Sequence, residues 1–425
     1  MDPRAETGAN EADAAGDGPR DASAAPRIAF AELVAIVAAV MALNALAIDM
    51  MLPALGLIGR ELGAPADNDR QLIIVVYVLG NGVAQLFFGP LVDRFGRRRV
   101  LLWALAGYIL GSVLSVFAAS FPLLLAARAF QGVTTAATRV ASIAIVRDLT
   151  AGRRMAEVMS LAITIFMAAP ILAPGFGQLV LFAAPWRGIF VVLLLYGVVL
   201  ALWVYFRIPE TQPASARTPL SPRRIVSAYG EFLRCRASIG YSLASALVFG
   251  ALFSYISTSE QIFLEVFQLG DKFALAFASA AGALACANLL NARLVRRIGM
   301  RRLCHGALLF FVVVNLIHLA IVATAGDSLV LFLLFTALAF FALGFIGANS
   351  SALAMEPMGH IAGSAAAANG FAGTTAAGFL GGLIGRAYDG STTPVVMGFA
   401  VLGLASFAVV LWAEKGRLFE SRMGP

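Results

Sequence analysis

The chain has 425 residues, of which 60% are hydrophobic and 13% charged, with a mean hydropathy of +0.86. Water-soluble domains carry roughly 25% charged residues, so a soluble fold of this size is excluded. The 31 Lys and Arg against 24 Asp and Glu leave a formal charge of +7, which in such a chain reports topology rather than affinity for nucleic acid.

Residues 1–29 are rich in Ala, Gly, Asp and Glu. They lack the basic-then-apolar pattern of a signal peptide and read as a disordered cytoplasmic tail. Twelve apolar runs follow, at 30–54, 71–91, 99–119, 122–146, 156–180, 187–207, 238–263, 273–294, 303–324, 328–353, 361–388 and 392–413. A membrane-crossing helix needs about 20 such residues. Continuous runs such as Phe190 to Val204 lack the alternation of a membrane β-strand. The expected fold is therefore an all-α polytopic membrane protein of twelve transmembrane helices.

The first run ends in Asn44-Ala-Leu-Ala-Ile-Asp-Met-Met-Leu-Pro53. A carboxylate in hydrocarbon is costly and marks a functional site by default. Asp49 thus suits a group that takes up and releases protons, although a hydrated residue at a helix end is the plainer reading. In the second run Tyr77, Asn81 and Gln85 recur every fourth residue and form a polar stripe. They line a cavity or bond a neighbouring helix.

Gly89-Pro-Leu-Val-Asp-Arg-Phe-Gly-Arg-Arg98 links the second and third runs. Here Gly89 is expected to let two helices approach and Gly96 to make a tight turn. Asp93 can accept from helix N-terminal amides or pair with an Arg, and Arg94, Arg97 and Arg98 hold the loop on the basic side. In the fourth run Arg128, Gln131, Thr135 and Arg139 share a face. A buried Arg keeps its charge, so Arg128 needs a counter-charge or carbonyl ligands there. It either biases the protonation of a carboxylate or clamps helices together.

The fifth run holds Ala169-Pro-Ile-Leu-Ala-Pro-Gly-Phe-Gly177. Pro170, Pro174, Gly175 and Gly177 remove backbone hydrogen bonds and allow close packing, as in a pliant hinge. A polar segment with Pro209, Pro213, Pro219 and Pro222 separates the sixth and seventh runs. The chain accordingly divides into a six-helix half at 30–208, a cytoplasmic linker at 209–237, a second six-helix half at 238–414 and a tail at 415–425. Glu260 and Glu265 lie near the outer end of the seventh run; Glu260 is either a second proton or cation site or a hydrated residue of the outer mouth.

Leu294-Val-Arg-Arg-Ile-Gly-Met-Arg-Arg302 repeats the first loop at an offset of 203 residues. Arg296 replaces Asp93 there, so the acidic latch is expected only in the first half. Duplicated six-helix halves indicate a transporter with its site at the midplane between them. With both termini cytoplasmic, 24 of the 31 basic residues fall on the cytoplasmic side, as the positive-inside rule requires. Cys235, Cys286 and Cys304 make no disulfide framework. His305, His318 and His360 have no metal-ligand spacing, and there is no phosphate-cradling loop.

These residues together resemble the major facilitator superfamily, in its twelve-helix drug:proton antiporter branch, and within it the bicyclomycin-resistance (Bcr/CflA-type) efflux proteins. The likeness spans about 30–413. It rests on Asp49 to Ala54, the Gly89–Arg98 loop, Arg128 with Gln131, Val146-Arg-Asp148, Ala169–Gly177, Phe253-Ser-Tyr-Ile-Ser257, Asn291 to Val295 and Glu356-Pro-Met-Gly-His-Ile-Ala-Gly363. The chain departs from the pattern at Met51, Gln178 and Ile143, where that branch usually has Tyr, Gly and Arg.

The resemblance implies proton-coupled export of small, mostly hydrophobic drugs across a bacterial inner membrane by a multi-pass protein. Asp49 and Arg128 would couple the proton. Asn44, Tyr77, Asn81, Gln85, Gln131, Thr135, Arg139, Tyr255 and Glu260 would line the cavity. The expected partners are substrate, protons and the bilayer, with no nucleic acid, in a monomer. No cofactor or metal is expected, since the proton gradient supplies the energy, and no enzymatic activity. The alternatives are export of an endogenous metabolite, or a membrane sensor of the same fold that no longer transports.

Overall fold

The computed structural model describes residues 28–420, apart from 151, 214, 216 and 218–220. Of the described residues 88% are helical and none is in a strand. The elements in order are α1 (Phe30–Asp49), α2 (Leu55–Glu61), α3 (Leu72–Phe95), α4 (Arg97–Val116), α5 (Phe121–Leu149), α6 (Gly152–Ala183) and α7 (Arg187–Arg207). After them come α8 (Pro222–Arg234), α9 (Arg236–Gln261), α10 (Phe273–Ile298), α11 (Met300–Ala325), α12 (Leu329–Met355), α13 (Ala362–Arg386) and α14 (Thr393–Ala413).

Eleven described stretches are long and apolar enough to cross a membrane. One of them, Leu329–Arg386, contains both α12 and α13. Pro357 and the non-helical backbone of Met358 separate the two, giving the twelve helices the apolar runs require. Large apolar side chains stay exposed on outward faces, among them Phe206, Leu275 and Val330. Lipid, not water, is the solvent in which such a surface is stable.

Local chemistry sets the breaks. Pro53, which has no N–H to donate, stops α1 at Asp49; a 3-10 turn, Leu52–Ala54, re-aims the chain into α2. Gly96 and Gly299 join α3 to α4 and α10 to α11 with nearly the same backbone, φ 98° and 87°. A side chain rarely adopts that φ, and its recurrence shows that the repeated loop is a repeated turn.

Within the first half α3 and α4 pack on α5, α7 on α4, and α1 on α6. In the second, α9 packs on α12, α13 and α14, and α12 on α10 and α11. The halves meet along α3 with α13 and α6 with α10. The α3–α13 contact is close because α13 offers glycines: a Cβ on Gly378 would lie 2.7 Å from Val78 Cγ1, and one on Gly382 2.9 Å from Val75 Cγ2. Small residues are how helices approach where no hydrophobic force drives them together.

The segment expected as a linker contains a helix of its own, α8, with Pro222 in its first turn. Tyr229 Oη on α8 donates to the carbonyl of Leu86 at 2.7 Å. Phe232 packs with Met358, Ala365 and Ala368 in a small second core. The segment therefore straps both halves together at the end bearing the basic loops.

Candidate functional site: a buried arginine beside a lone carboxyl

Arg128 is the largest fully buried side chain. Its Nη2 donates to the carbonyl of Ala47 at 2.8 Å, its Nε to that of Ile73 at 3.4 Å, and its Nη1 to Gln131 Oε1. The guanidinium lies 4.3 Å from the Tyr77 ring centre, a cation–π contact that strengthens away from water. The charge is thus stabilised by carbonyls and a ring, with no carboxylate bonded to it.

Asp49, the last residue of α1, is buried at 4% exposure, and its Oδ1 has no hydrogen-bond partner. It lies two residues beyond the Ala47 carbonyl that Arg128 holds. An unpaired polar atom at this depth is expensive. On insertion scales an Asp at the centre of a membrane helix costs about 3 kcal/mol.

A polar chain runs on from this point. Tyr77 Oη donates to Asn44 Oδ1 at 2.6 Å, and Gln131 Nε2 to Ser112 Oγ at 2.8 Å. Asn81 Nδ2 donates to Thr135 Oγ1 at 3.2 Å, and Gln85 Nε2 to Asn81 Oδ1 at 3.1 Å. Gln85 also reaches across the halves to Thr374 Oγ1 at 3.1 Å. The stripe on α3 therefore bonds its neighbours and, through Gln85, the other half. Arg139 is exposed in mid-helix. Tyr255 is buried among Phe263, Phe277, Phe332 and Phe340, with its hydroxyl unpartnered.

The hinge segment meets the same place. Helix α6 runs unbroken through Pro170 and Pro174. Gly177 presses on the chain just after Asp49: a Cβ there would sit 1.8 Å from the Met50 carbonyl oxygen. Gly175 faces Ala274 of α10 at 3.8 Å.

The loop motif differs in detail from expectation. A Cβ on Gly89 would meet no atom within 4 Å, so Gly89 makes no close helix approach. Asp93 pairs with Arg97 at 3.2 Å but does not accept from the amides that open α4. Those amides, Arg97 N and Arg99 N, donate to Glu210 at 2.9 and 3.4 Å. Arg97, buried, also pairs with Asp148 at 3.0 Å. Arg98 donates to the Tyr205 carbonyl at 2.6 Å and covers the Tyr205 ring. Arg94 is exposed.

Nor is an acidic latch confined to the first half. Arg301 pairs with Glu356 at 2.8 Å and with Glu414 at 3.3 Å. Glu414 also accepts from Tyr241 Oη at 2.7 Å. The second half replaces the missing loop aspartate with acids from the ends of α12 and α14. Glu260 lies apart from the Asp49–Arg128 group, in an ion pair with Arg70 at 3.3 Å.

Residues 37–382 match the Major Facilitator Superfamily. The chain belongs to that family, whose members are membrane transporters. It is 30% identical over 389 residues to the uncharacterised MFS-type transporter YdgK of Bacillus subtilis, covering 90% of this chain and 95% of that one. It is 30% identical over 265 residues to the bicyclomycin resistance protein homolog of Haemophilus influenzae, covering 61% and 66% of the two chains. With the multidrug resistance protein MdtL of Escherichia coli the identity is 31% over 226 residues, 53% of this chain and 56% of that one. The fold is that of the xylose transporter XylE of E. coli, with a TM-score of 0.70 at 12% identity over 90% of this chain and 97% of that one. It is also that of the human organic anion transporter MFSD10, at 0.62 and 18% over 90% and 100%.

Proposed function

We propose that the chain exports small, mostly hydrophobic compounds across a bacterial inner membrane in exchange for protons, by alternating access. The observation that carries this reading is the unpartnered buried carboxyl of Asp49, two residues beyond the carbonyl that Arg128 holds. A structural carboxylate at this depth would be paired; a proton carrier must be free to gain and lose its proton. Arg128, held by acceptors on α1, α3 and α5, fixes a positive charge against the backbone two residues before Asp49. A bound substrate competes with the proton at this site. Two relatives named for drug resistance support the class of cargo.

The closed seam away from the basic loops and the exposed Arg139 fit an inward-facing state, with both termini cytoplasmic. The Arg97 and Arg301 latches then hold the cytoplasmic ends of each half. Everted vesicles with an imposed pH gradient test the reading. Gradient-dependent uptake of an acridine- or ethidium-type dye supports it. Uptake of no such compound, with export of a cell metabolite instead, would replace it with the endogenous-exporter reading.

A further inference from the structure

The seam opposite the basic loops is built from charges that belong to different halves. Arg70 sits in the 3-10 turn Asp67–Gln71 that precedes α3 and is 6% exposed. It reaches two carboxylates of the second half: Glu260, 3.3 Å from Nη1, and Glu265, paired with Nη2. The backbone between those acids is a π-helical turn, Ile262–Val266. Such turns bond residues five apart and recur at functional sites; here the turn brings both acids onto one guanidinium.

The packing around them leaves no slack. A Cβ on Gly56 would lie 2.6 Å from Glu260 Oε1 and 2.7 Å from Arg70 Nη1. Gln71 bonds Gln261, which donates to Asn68 at 2.7 Å, and Asn68 donates to the Tyr388 carbonyl at 2.8 Å. Glu260 is 7% exposed in its side chain, whereas Glu265 is 47% exposed.

Two carboxylates of the second half share Arg70. The remaining charged groups here are Arg60 on α2 and the Asp69–Arg386 pair at 3.2 Å, which is neutral in itself. Tyr388 Oη, 3.4 Å from Glu265, is pushed up to about 12 by burial and by the charge of Glu265, and stays a neutral phenol. Parting the halves at this seam separates Arg70 from both acids at once. One proton on the buried acid leaves Glu265 alone paired with Arg70 and removes one of the two ties that Arg70 makes to the second half.

We propose that Glu260 is a second proton-binding residue, loaded from the outer aqueous side, whose protonation opens the outer seam. The step transfers one proton from hydronium to a Glu260 carboxylate oxygen: one O–H bond of hydronium breaks, one forms on Glu260, water is left, and the ion pair with Arg70 is lost. It rests on the reading of the chain as a proton-driven exporter and adds a site distinct from Asp49.

The test uses the full-length protein in lipid nanodiscs, with Cys235, Cys286 and Cys304 replaced by Ser. Spin labels go on Leu57→Cys and Asp271→Cys, both exposed and on opposite halves. Double electron–electron resonance reads their separation between about pH 8 and about pH 5.5 without substrate. In the parent protein, the longer-distance population grows several-fold as the pH falls. In Glu260→Gln it is high at both ends and insensitive to pH. Glu265→Gln, which removes the second acid from Arg70, keeps the response but displaces it to lower pH.

A parent-like response in Glu260→Gln would overturn the assignment. Should Glu260→Gln aggregate, Glu260→Asp takes its place. A displaced midpoint then supports the assignment and an unmoved one overturns it. Because the distances are read without cargo, failure of dye export in vesicles would be seen separately from failure here.

Discussion

Arg128 Nη2 donates to the carbonyl of Ala47 at 2.8 Å, two residues before the carboxyl of Asp49, whose Oδ1 has no partner. The arginine thus holds the end of α1 by its backbone and leaves the acid unbonded. Three of its nitrogens serve acceptors at Ala47, Ile73 and Gln131. A lysine is a point charge without that planar fork. Arg128→Lys is expected to lose stability by about 2 kcal/mol, the scale of charged hydrogen bonds, and to lose most transport. Thermal unfolding in detergent and vesicle flux check this. An unchanged melting temperature would contradict it.

Two glycines separate packing from mere presence in a motif. Gly177→Ala forces α6 away from the Met50 carbonyl, since a Cβ would sit 1.8 Å from it. Backbone cannot yield as a flexible side chain does, and overpacking of this kind costs about 1–3 kcal/mol. Gly89→Ala meets no atom within 4 Å. It should leave the melting temperature unchanged, while Gly177→Ala lowers it and impairs flux. Equal effects in the two variants would show that the α6–α1 contact is not what Gly177 serves.

Glu210 and Glu414 occupy matching places, one just beyond α7 and the other just beyond α14. Glu210 accepts from the amides that open α4; Glu414 accepts from Arg301 and Tyr241. Each Glu→Gln change weakens charge-assisted bonds worth about 1.5–3 kcal/mol apiece. Both variants should unfold at lower temperature, and the double variant should lose the sum of the two, since the sites lie in different halves. Strong non-additivity, read by the same melting experiment, would mean that the latches act as one unit.

Tyr388 gives a pH prediction with a definite sign. Burial, and then the charge of Glu265, raise it from 10.0 to about 12. A phenol raised on folding contributes stability that is whole below its unfolded value and is lost as the pH rises through the folded one. Between about pH 6 and about pH 9, therefore, Tyr388→Phe should shift the melting temperature by a constant offset. A change of slope within that window would place another titrating group on the hydroxyl.

The helices were legible because a membrane span needs only length and apolarity, and the α12–α13 break because Pro357 marks it. The end of α1 at Asp49 falls inside the run read as 30–54, and Pro53, four residues on, is the signal that marks it. The seam was not. Arg70 and Glu265 lie 195 residues apart, and no local pattern couples them. The available signal was an Arg on the side poor in basic residues, facing two acids on the other half. Glu210 was hidden differently: the loop motif drew the reading to Asp93, while the acid that caps α4 stands beyond α7. Its counterpart Glu414 follows at nearly the repeat offset, so the duplication itself carried the clue. The strap α8 escaped notice because its four flanking and internal prolines read as linker, although Pro222 stands where a helix favours proline.

Proton release on substrate binding tests the central claim most directly. The purified protein, in weakly buffered detergent solution near neutral pH, is mixed with an exported dye while a pH indicator is followed. The wild type should release protons in proportion to dye bound, and Asp49→Asn should bind dye without releasing them. Release from Asp49→Asn equal to that of the wild type would contradict the assignment of Asp49 as the group for which proton and substrate compete.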